Sequence, residues 1–190
     1  MNPSTEVSVI APFAAQFNLA AGIMENPAEH IVRPASVMRG YYQDGEALER
    51  LIAAGDPVHY ETFESPVPEV PGHLRYCLSK LHAGTVGKEC FMTKGHYHAL
   101  AGTAEIYLCL RGAGLMLMKT ADGRCAWEEF RPGRMVYVPP FWAHRSINTG
   151  DEPLVSLCIY PAEAGHNYGD IQTEGFPRRV FRHADELTIQ

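Results

Sequence analysis

The segment Thr93-Lys94-Gly95-His96-Tyr97-His98 is followed by Glu105 and, further along the chain, by His144. Three imidazoles and one carboxylate form a ligand set that suits Fe, Mn, Ni or Zn. In an extended strand alternate side chains share a face, so His96 and His98 point the same way. The residue types and their spacing therefore predict a metal site.

The residues between these ligands indicate how they could meet. The run 104–110 is rich in β-branched and aromatic residues, which predicts a strand that begins near Glu105. A short turn containing Gly102 can return this strand to the histidine pair, and the turn Pro139-Pro140-Phe141 can deliver His144. The alternative is a pair of ordinary surface histidines, which would require neither Glu105 nor His144.

The spacing of these residues resembles the two motifs of the cupin superfamily. The first motif is matched by the HxH pair, Glu105 and Gly112, and the second by Gly133, Pro139, His144 and Asn148. Two departures are visible: the gap between His98 and Glu105 is long, and Phe141 stands where the second motif usually has glycine. At both positions the sequence resembles the cupin-type (archaeal) glucose-6-phosphate isomerases. Three short segments in and around the motifs also resemble this family. They are Thr-Lys-Gly-His-Tyr-His, Val-Pro-Pro-Phe-Trp-Ala-His-Arg and Tyr-Pro-Ala-Glu-Ala-Gly-His-Asn-Tyr-Gly.

This resemblance, which extends from about Asp56 to Phe176, implies an aldose–ketose isomerase with one divalent metal per subunit. The implied metal is Fe(II), with Mn(II), Ni(II) or Zn(II) as alternatives, held by His96, His98, Glu105 and His144. The implied phosphate ligands are Thr93, Lys94 and Gly95, with Ser79 at the position where relatives often have threonine. The implied sugar contacts are Tyr60, Tyr107, Tyr160, His166 and Tyr168.

The chemistry of the same residues is consistent with that role. The segment Thr93-Lys94-Gly95 offers a hydroxyl, an ammonium and an approachable N–H to an anion, although an ordinary turn has the same composition. Tyr107 shares a strand face with Glu105, and His166 and Tyr168 are candidate lid residues. Isomerisation moves a hydrogen between C2 and C1, and we expect Glu105 to act as the base of a cis-enediol route with Tyr107 and His166 as proton donors. Direct hydride transfer is the alternative.

Composition limits the other functions. The 190 residues carry a net charge of −6, which argues against a nucleic-acid or anionic-membrane partner. The five cysteines are widely spaced with no CxxC, which indicates reduced thiols rather than a zinc site. No secretory signal or membrane span is recognisable, so we expect a cytoplasmic protein, and we expect a homodimer.

About nine short strands with intervening turn signals predict an all-β fold, a cupin double-stranded β-helix of the jelly-roll type. We expect an irregular N-terminal arm and a helix that Asp44 caps and Gly55 ends in residues 1–55, the barrel in residues 56–176, and an extension in residues 177–190. Gly112 and Gly114 predict a hairpin, as do Asp122 and Gly123. Residues 161–170 predict a polar loop.

Two other functions remain open on the residues alone. Three histidines and one glutamate around Fe(II) also suit a cupin oxygenase. A non-catalytic sugar-phosphate-binding cupin would require the same cavity.

Overall fold

The computed structural model describes residues 9–184 and 186–190. The first eight residues of the predicted arm and Asp185 of the predicted extension lie outside the described residues. The described chain forms two α-helices, α1 (Gly45–Ala53) and α2 (Gly169–Glu174), and a 3₁₀ helix at Ala35–Met38. Its strands are β1 (Phe17–Asn18), β2 (Ile23–Met24), β3 (Glu29–Pro34), β4 (Val58–Glu64), β5 (Leu74–Leu81), β6 (Thr85–Val86), β7 (Glu89–Cys90), β8 (Glu105–Arg111), β9 (Gly114–Thr120), β10 (Cys125–Phe130), β11 (Met135–Val138), β12 (Trp142–Asn148), β13 (Leu154–Pro161), β14 (Val180–His183) and β15 (Glu186–Ile189).

Two antiparallel sheets enclose the core. The larger sheet has the order β11-β8-β13-β5-β4-β3, and the smaller has the order β10-β9-β12. Buried side chains from both sheets belong to one apolar cluster, with Leu81 and Leu154 from the larger and Met116 and Ile147 from the smaller. The predicted all-β double-sheet fold is confirmed.

The connection from β8 to β9 crosses between the two sheets. β9 pairs with β10 and β12 rather than with β8, so the predicted hairpin at Gly112 and Gly114 is wrong. A Cβ on Gly114 would overlap the carbonyl oxygen of Ile147, and this close approach of two backbones accounts for the glycine. The hairpin at Asp122-Gly123 is confirmed, because β9 and β10 pair directly around it.

The helix predicted from its cap is confirmed as α1. The Asp44 side chain accepts a hydrogen bond of 2.8 Å from the Ala47 N–H, which satisfies a donor that the first turn leaves free. Leu48 on the inner side of the helix is buried. The helix therefore packs as scaffold.

Three segments differ from the sequence-based expectation or add to it. β3 forms inside the segment predicted as an irregular arm and pairs with β4 of the same chain. The short helix α2 begins within the predicted polar loop, and only Ile171 buries a side chain from it. The C-terminal segment forms a β14–β15 hairpin in a third sheet with β7 and β6. The division at residues 55/56 and 176/177 stays a prediction.

The turn between β11 and β12 places His144 near the loop that carries His96. Phe141 has a φ of 70° in this turn, a left-handed conformation that is uncommon outside glycine. Its N–H donates to the Ala101 carbonyl at 2.8 Å, which ties the turn to the segment before β8. Among the helices that the structure describes, none has the length and apolar character needed to cross a membrane.

Candidate active site

Four side chains from the loop before β8, from β8 and from β12 meet between the two sheets. Each of His96, His98, Glu105 and His144 offers a nitrogen or oxygen atom, and these atoms all lie within 4.8 Å of one another. Glu105 is the first residue of β8 in the larger sheet, and His144 lies on β12 in the smaller. The loop before β8 supplies the other two histidines rather than the predicted regular strand. It is held to β12 because His96 and His144 exchange backbone hydrogen bonds of 3.2 and 3.1 Å.

Hydrogen bonds orient this cluster. Oε2 of Glu105 lies 3.1 Å from Nε2 of His98 and 2.9 Å from Nε2 of His144. Nδ1 of His98 lies 2.8 Å from the Thr103 hydroxyl, and the Tyr107 hydroxyl lies 3.1 Å from Nε2 of His144. The contact of His98 Nδ1 with Thr103 is to the ring nitrogen that faces away from Glu105, and such outer contacts fix ring orientation at metal sites.

The ionisation of the cluster suits a cation. Burial raises the pKa of Glu105, but hydrogen bonds from His144 and His98 outweigh it and hold the pKa below its ordinary range. Burial and the neighbouring His144 and His166 lower the pKa of His96, which keeps this imidazole neutral. Nε2 of His96 is buried and has no hydrogen-bond partner within the described residues. A neutral imidazole and an ionised carboxylate are the ligand forms of these side chains, so the residues fit a divalent metal.

The cluster opens on a cavity of about 230 Å³ between the larger sheet and the loop. His96 and Glu105 of the cluster line it, whereas His98 and His144 do not. Every predicted substrate or catalytic residue lines it, namely Tyr60, Ser79, Thr93, Lys94, Gly95, Glu105, Tyr107, Tyr160, His166 and Tyr168. A wider groove of about 810 Å³ lies between α1 and the third sheet, but it is open to solvent and contains none of the four clustered side chains. The smaller cavity is therefore the candidate active site.

Strand register explains why widely spaced residues line one cavity. Tyr60, Thr62 and Glu64 alternate along β4, so they face the same side of the sheet. On β5, Ser79 lies opposite Thr62 and Cys77 lies opposite Glu64. A one-residue slip would turn this face away from the cavity.

One end of the cavity is rich in donors for an anion. The Thr93 hydroxyl oxygen accepts a hydrogen bond of 3.1 Å from the Ser146 N–H, so its own hydrogen is available to a ligand. Burial lowers the pKa of Lys94, and the neighbouring Arg33 lowers it further. Arg33 comes from β3 and lines the cavity, but sequence reasoning missed it because the prolines around it suggested an irregular arm. The β-branched pair Ile31-Val32 beside it was the available signal.

Sequence reasoning also missed a second carboxylate in the cavity. Oε2 of Glu64 accepts hydrogen bonds from the Tyr160 hydroxyl at 3.1 Å and from Arg75 at 3.3 Å. Burial raises the pKa of Glu64 despite the opposing effect of Arg75. Glu64 belongs to no motif, and only the pairing of β4 with β5 brings it to the cavity.

Aromatic rings lie beside the His–Glu cluster. The rings of His96 and His166 are 4.5 Å apart between centroids, and His166 stacks on Tyr168 at 5.7 Å with an angle of 8° between planes. Asn167 exchanges backbone hydrogen bonds with Tyr97, which docks this segment against the histidine loop. Burial lowers the pKa of His166. The two predicted lid residues thus lie at the cavity, with Tyr168 partly exposed.

A family model described as Glucose-6-phosphate isomerase (GPI) matches residues 32–187. The chain belongs to the glucose-6-phosphate isomerase family. It is 48% identical over 178 residues to the glucose-6-phosphate isomerase of Thermococcus gammatolerans, which covers 94% of this chain and 93% of that protein. The corresponding protein of Pyrococcus horikoshii is 43% identical over 94% of both chains. A putative glucose-6-phosphate isomerase 2 of Rhizobium meliloti is 37% identical over 89% of this chain and 85% of its own length. The family predicted from the motif is confirmed.

Solved structures give a weaker likeness. Oxalate decarboxylase from Bacillus subtilis at pH 4.6 superposes with a TM-score of 0.44 at 22% identity, covering 57% of this chain and 26% of that one. Oxalate decarboxylase from Lactobacillus farciminis gives a TM-score of 0.45 at 15% identity, covering 57% and 30%. At these scores the likeness supports no conclusion about the chemistry of this family member.

Proposed function

We propose that the protein interconverts D-glucose 6-phosphate and D-fructose 6-phosphate with the help of one divalent metal. The observation that carries the proposal is that one cavity is lined both by residues of the His–Glu cluster and by a hydroxyl, an ammonium and Arg33. A sugar phosphate has sugar oxygens that a metal at the cluster would bind and a phosphate that the hydroxyl and the cations would bind. The family relationship supports the same substrate.

His96, His98, Glu105 and His144 would hold the metal, and Fe(II) is the ion we propose, with Mn(II), Ni(II) and Zn(II) as the competing ions. A bound divalent ion would supply Lewis-acid polarisation of the substrate oxygens. Four protein ligands would leave the ion free to bind substrate oxygens as well, whereas structural sites tend to be closed. Metal analysis of protein purified without a histidine tag would identify the ion.

The remaining cavity residues would bind and orient the sugar phosphate. Thr93, Lys94 and the Gly95 N–H donate to the phosphate, together with the Ser79 hydroxyl. Tyr60, Tyr160 and Tyr168 border the sugar and exclude water from it. All these residues line the cavity.

For the chemical step we propose a proton route through a cis-enediol. A Glu105 carboxylate oxygen takes the proton from C2 of the aldose, and the C–H electrons form the C1=C2 bond while O1 gains a proton. The same carboxyl then returns its proton to C1 as O2 becomes the carbonyl. Burial raises the pKa of the Tyr107 hydroxyl, which keeps it protonated beside His144. Tyr107 and His166 would then exchange protons with O1 and O2.

Glu64 is the competing base because its pKa is raised, whereas that of Glu105 is lowered. A pair of matched variants, Glu105→Gln and Glu64→Gln, separates these roles. Retained metal with activity nearly abolished only in Glu105→Gln supports Glu105 as the base. The same loss confined to Glu64→Gln would transfer the role to Glu64.

Isotope retention tests the proton route itself. Substrate deuterated at C2 should lose label to ordinary water during turnover. Complete retention over many turnovers and several pH values would favour hydride transfer and reduce Glu105 to a ligand.

The overall function is tested by adding fructose 6-phosphate and measuring glucose 6-phosphate with a coupled dehydrogenase. Chelation should abolish turnover, and divalent metal should restore it. Oxygen uptake without isomerisation would indicate the oxygenase alternative, and tight sugar-phosphate binding without turnover would indicate a binding protein.

We also propose a cytoplasmic homodimer. The five cysteines are free thiols, in keeping with a reducing compartment. The outer face of the larger sheet exposes Leu74, Met135 and Tyr137, an apolar surface on which a second copy could pack. Light scattering of wild-type protein and of a Met135→Glu variant tests this, and a monomeric wild type contradicts it.

A further inference from the structure

Arg145 is a buried cation next to the candidate site, with 4% of its surface exposed. Its Nη2 donates a hydrogen bond of 2.6 Å to the Lys94 carbonyl, and its Nη1 lies 3.0 Å from the Met92 sulfur. No carboxylate of the described residues lies within ion-pair distance of it. Burial lowers the pKa of its guanidinium to about 10, so it remains charged at neutral pH. The buried Glu89 acts on this charge only from beyond ion-pair distance, and a buried charge without a paired carboxylate requires an explanation.

The contact with Lys94 determines how residues 93–95, here called the anion loop, face the cavity. The Lys94 carbonyl and the Gly95 N–H belong to one planar trans peptide, in which they point in opposite directions. Because Arg145 holds the Lys94 carbonyl, the Gly95 N–H points away from Arg145. Gly95 lines the cavity, whereas Arg145 is not among the cavity residues. The Gly95 N–H has no acceptor in the parts of the chain that are described.

Packing fixes the same peptide from a second side. Gly95 has a φ of 75°, and a Cβ there would lie 2.8 Å from the Phe176 ring and 3.0 Å from Cβ of Arg145. The guanidinium carbon of Arg145 is 4.2 Å from the centroid of the Phe176 ring. The loop is thus pressed between Phe176 and β12, and the stacked guanidinium can adopt few other orientations.

We propose that Arg145 is a positioning residue that orients the Lys94–Gly95 peptide so that its N–H faces a dianionic phosphate group in the cavity. This inference rests on the proposed sugar-phosphate site and adds a residue that does not touch the ligand. Its positive charge adds to that of Lys94 and Arg33 at the same end of the cavity.

Lys119 offers a matched control. It is also a buried cation, and its ammonium lies 5.9 Å from the centroid of the same Phe176 ring. It donates to Glu174 at 2.7 Å and does not line the cavity. Lys119→Met therefore removes a buried charge that packs against Phe176 without changing the Lys94 carbonyl contact.

The experiment compares Arg145→Met, Arg145→Lys and Lys119→Met with wild type in the metal-loaded full chain. Calorimetry measures the Kd for inorganic phosphate, the coupled assay measures KM and kcat for fructose 6-phosphate, and elemental analysis measures metal content. In Arg145→Met we expect both the phosphate Kd and KM to rise about tenfold or more, the range for a lost hydrogen bond to a charged group. We expect kcat and metal content to change much less. Arg145→Lys should be intermediate, because an ammonium cannot reproduce a stacked guanidinium, and Lys119→Met should bind phosphate like wild type.

Several results would overturn the proposal. One is a phosphate Kd in Arg145→Met within about twofold of wild type. Another is a rise of the phosphate Kd in Lys119→Met as large as that in Arg145→Met. Full phosphate affinity in Arg145→Lys would show that a positive charge at this position is sufficient for phosphate binding and that the guanidinium does not orient the peptide. If Arg145→Met does not fold, Arg145→Lys decides, and if neither folds, Arg145 is structural. Wild-type protein that binds phosphate in an Arg145-dependent way but does not isomerise the sugar would refute the proposed function alone.

Discussion

His59, which is not part of the His–Glu cluster, makes the folded state sensitive to acid. Its side chain is fully buried, with the Phe91 ring 3.9 Å away between centroids. The Tyr42 hydroxyl accepts from the Met92 N–H at 3.1 Å, so its own hydrogen points to Nε2 of His59 at 2.6 Å. This arrangement requires an unprotonated Nε2.

The size of the effect follows from the pKa. Burial, with a smaller contribution from His82, lowers the pKa of His59 from 6.5 to about 3. Below pH 6.5 the unfolded chain binds a proton at this histidine that the folded chain does not bind. The contribution of His59 to the free energy of unfolding is therefore fully present above pH 6.5. It falls as the pH drops towards 3, by about 1.4 kcal/mol per pH unit. Between pH 7.5 and 5.0 the contribution of His59 amounts to about 2 kcal/mol.

Urea denaturation of wild type and of His59→Gln at both pH values measures this contribution. Glutamine can retain a hydrogen bond to Tyr42 but does not titrate, and the other ionisable groups are common to both proteins. The free energy of unfolding of wild type should fall by about 2 kcal/mol more than that of the variant. Equal losses within about 0.5 kcal/mol would refute the reasoning, since one pKa unit corresponds to more than that.

Three further predictions concern the metal, the anion loop and the crossing between sheets. His98→Ala should lose most bound metal and most activity while its circular dichroism is retained; normal metal content would contradict the ligand assignment. Thr93→Ala should lose about 1.5–3 kcal/mol of sugar-phosphate binding, measured as a higher KM with little change in kcat; an unchanged KM would place the phosphate elsewhere. Gly114→Ala should lower the free energy of unfolding by about 1–3 kcal/mol because its Cβ meets the Ile147 carbonyl. Gly102→Ala, with open space around the glycine, is the control, and equal stability of the two variants would contradict this account.

The residues that the sequence predicted best are those whose spacing has a direct geometric meaning. His96 and His98 are two residues apart, and Glu105 and Tyr107 repeat that interval at the start of β8. The cap at Asp44 also predicted α1 correctly, because capping is a local interaction. Such features depend on few residues and short separations.

The cavity residues that could not be predicted from the sequence depend on which strands become neighbours in the fold. Arg33 and Glu64 reach the cavity because β3 and β5 both pair with β4. Arg145 becomes significant only once its guanidinium is seen to contact the Lys94 carbonyl, 51 residues earlier in the chain. Long-range pairing of this kind carries no local signal in a single sequence.

The turn at Phe141 shows what a motif position encodes. The cupin pattern usually has glycine there, and this chain has a phenylalanine in the left-handed conformation with its ring largely exposed. In this chain the position is thus defined by a dihedral angle rather than by glycine, and the hydrogen bond to Ala101 holds that angle against the preference of the side chain. Search patterns that demand glycine at this position would miss homologues whose backbone makes the same turn.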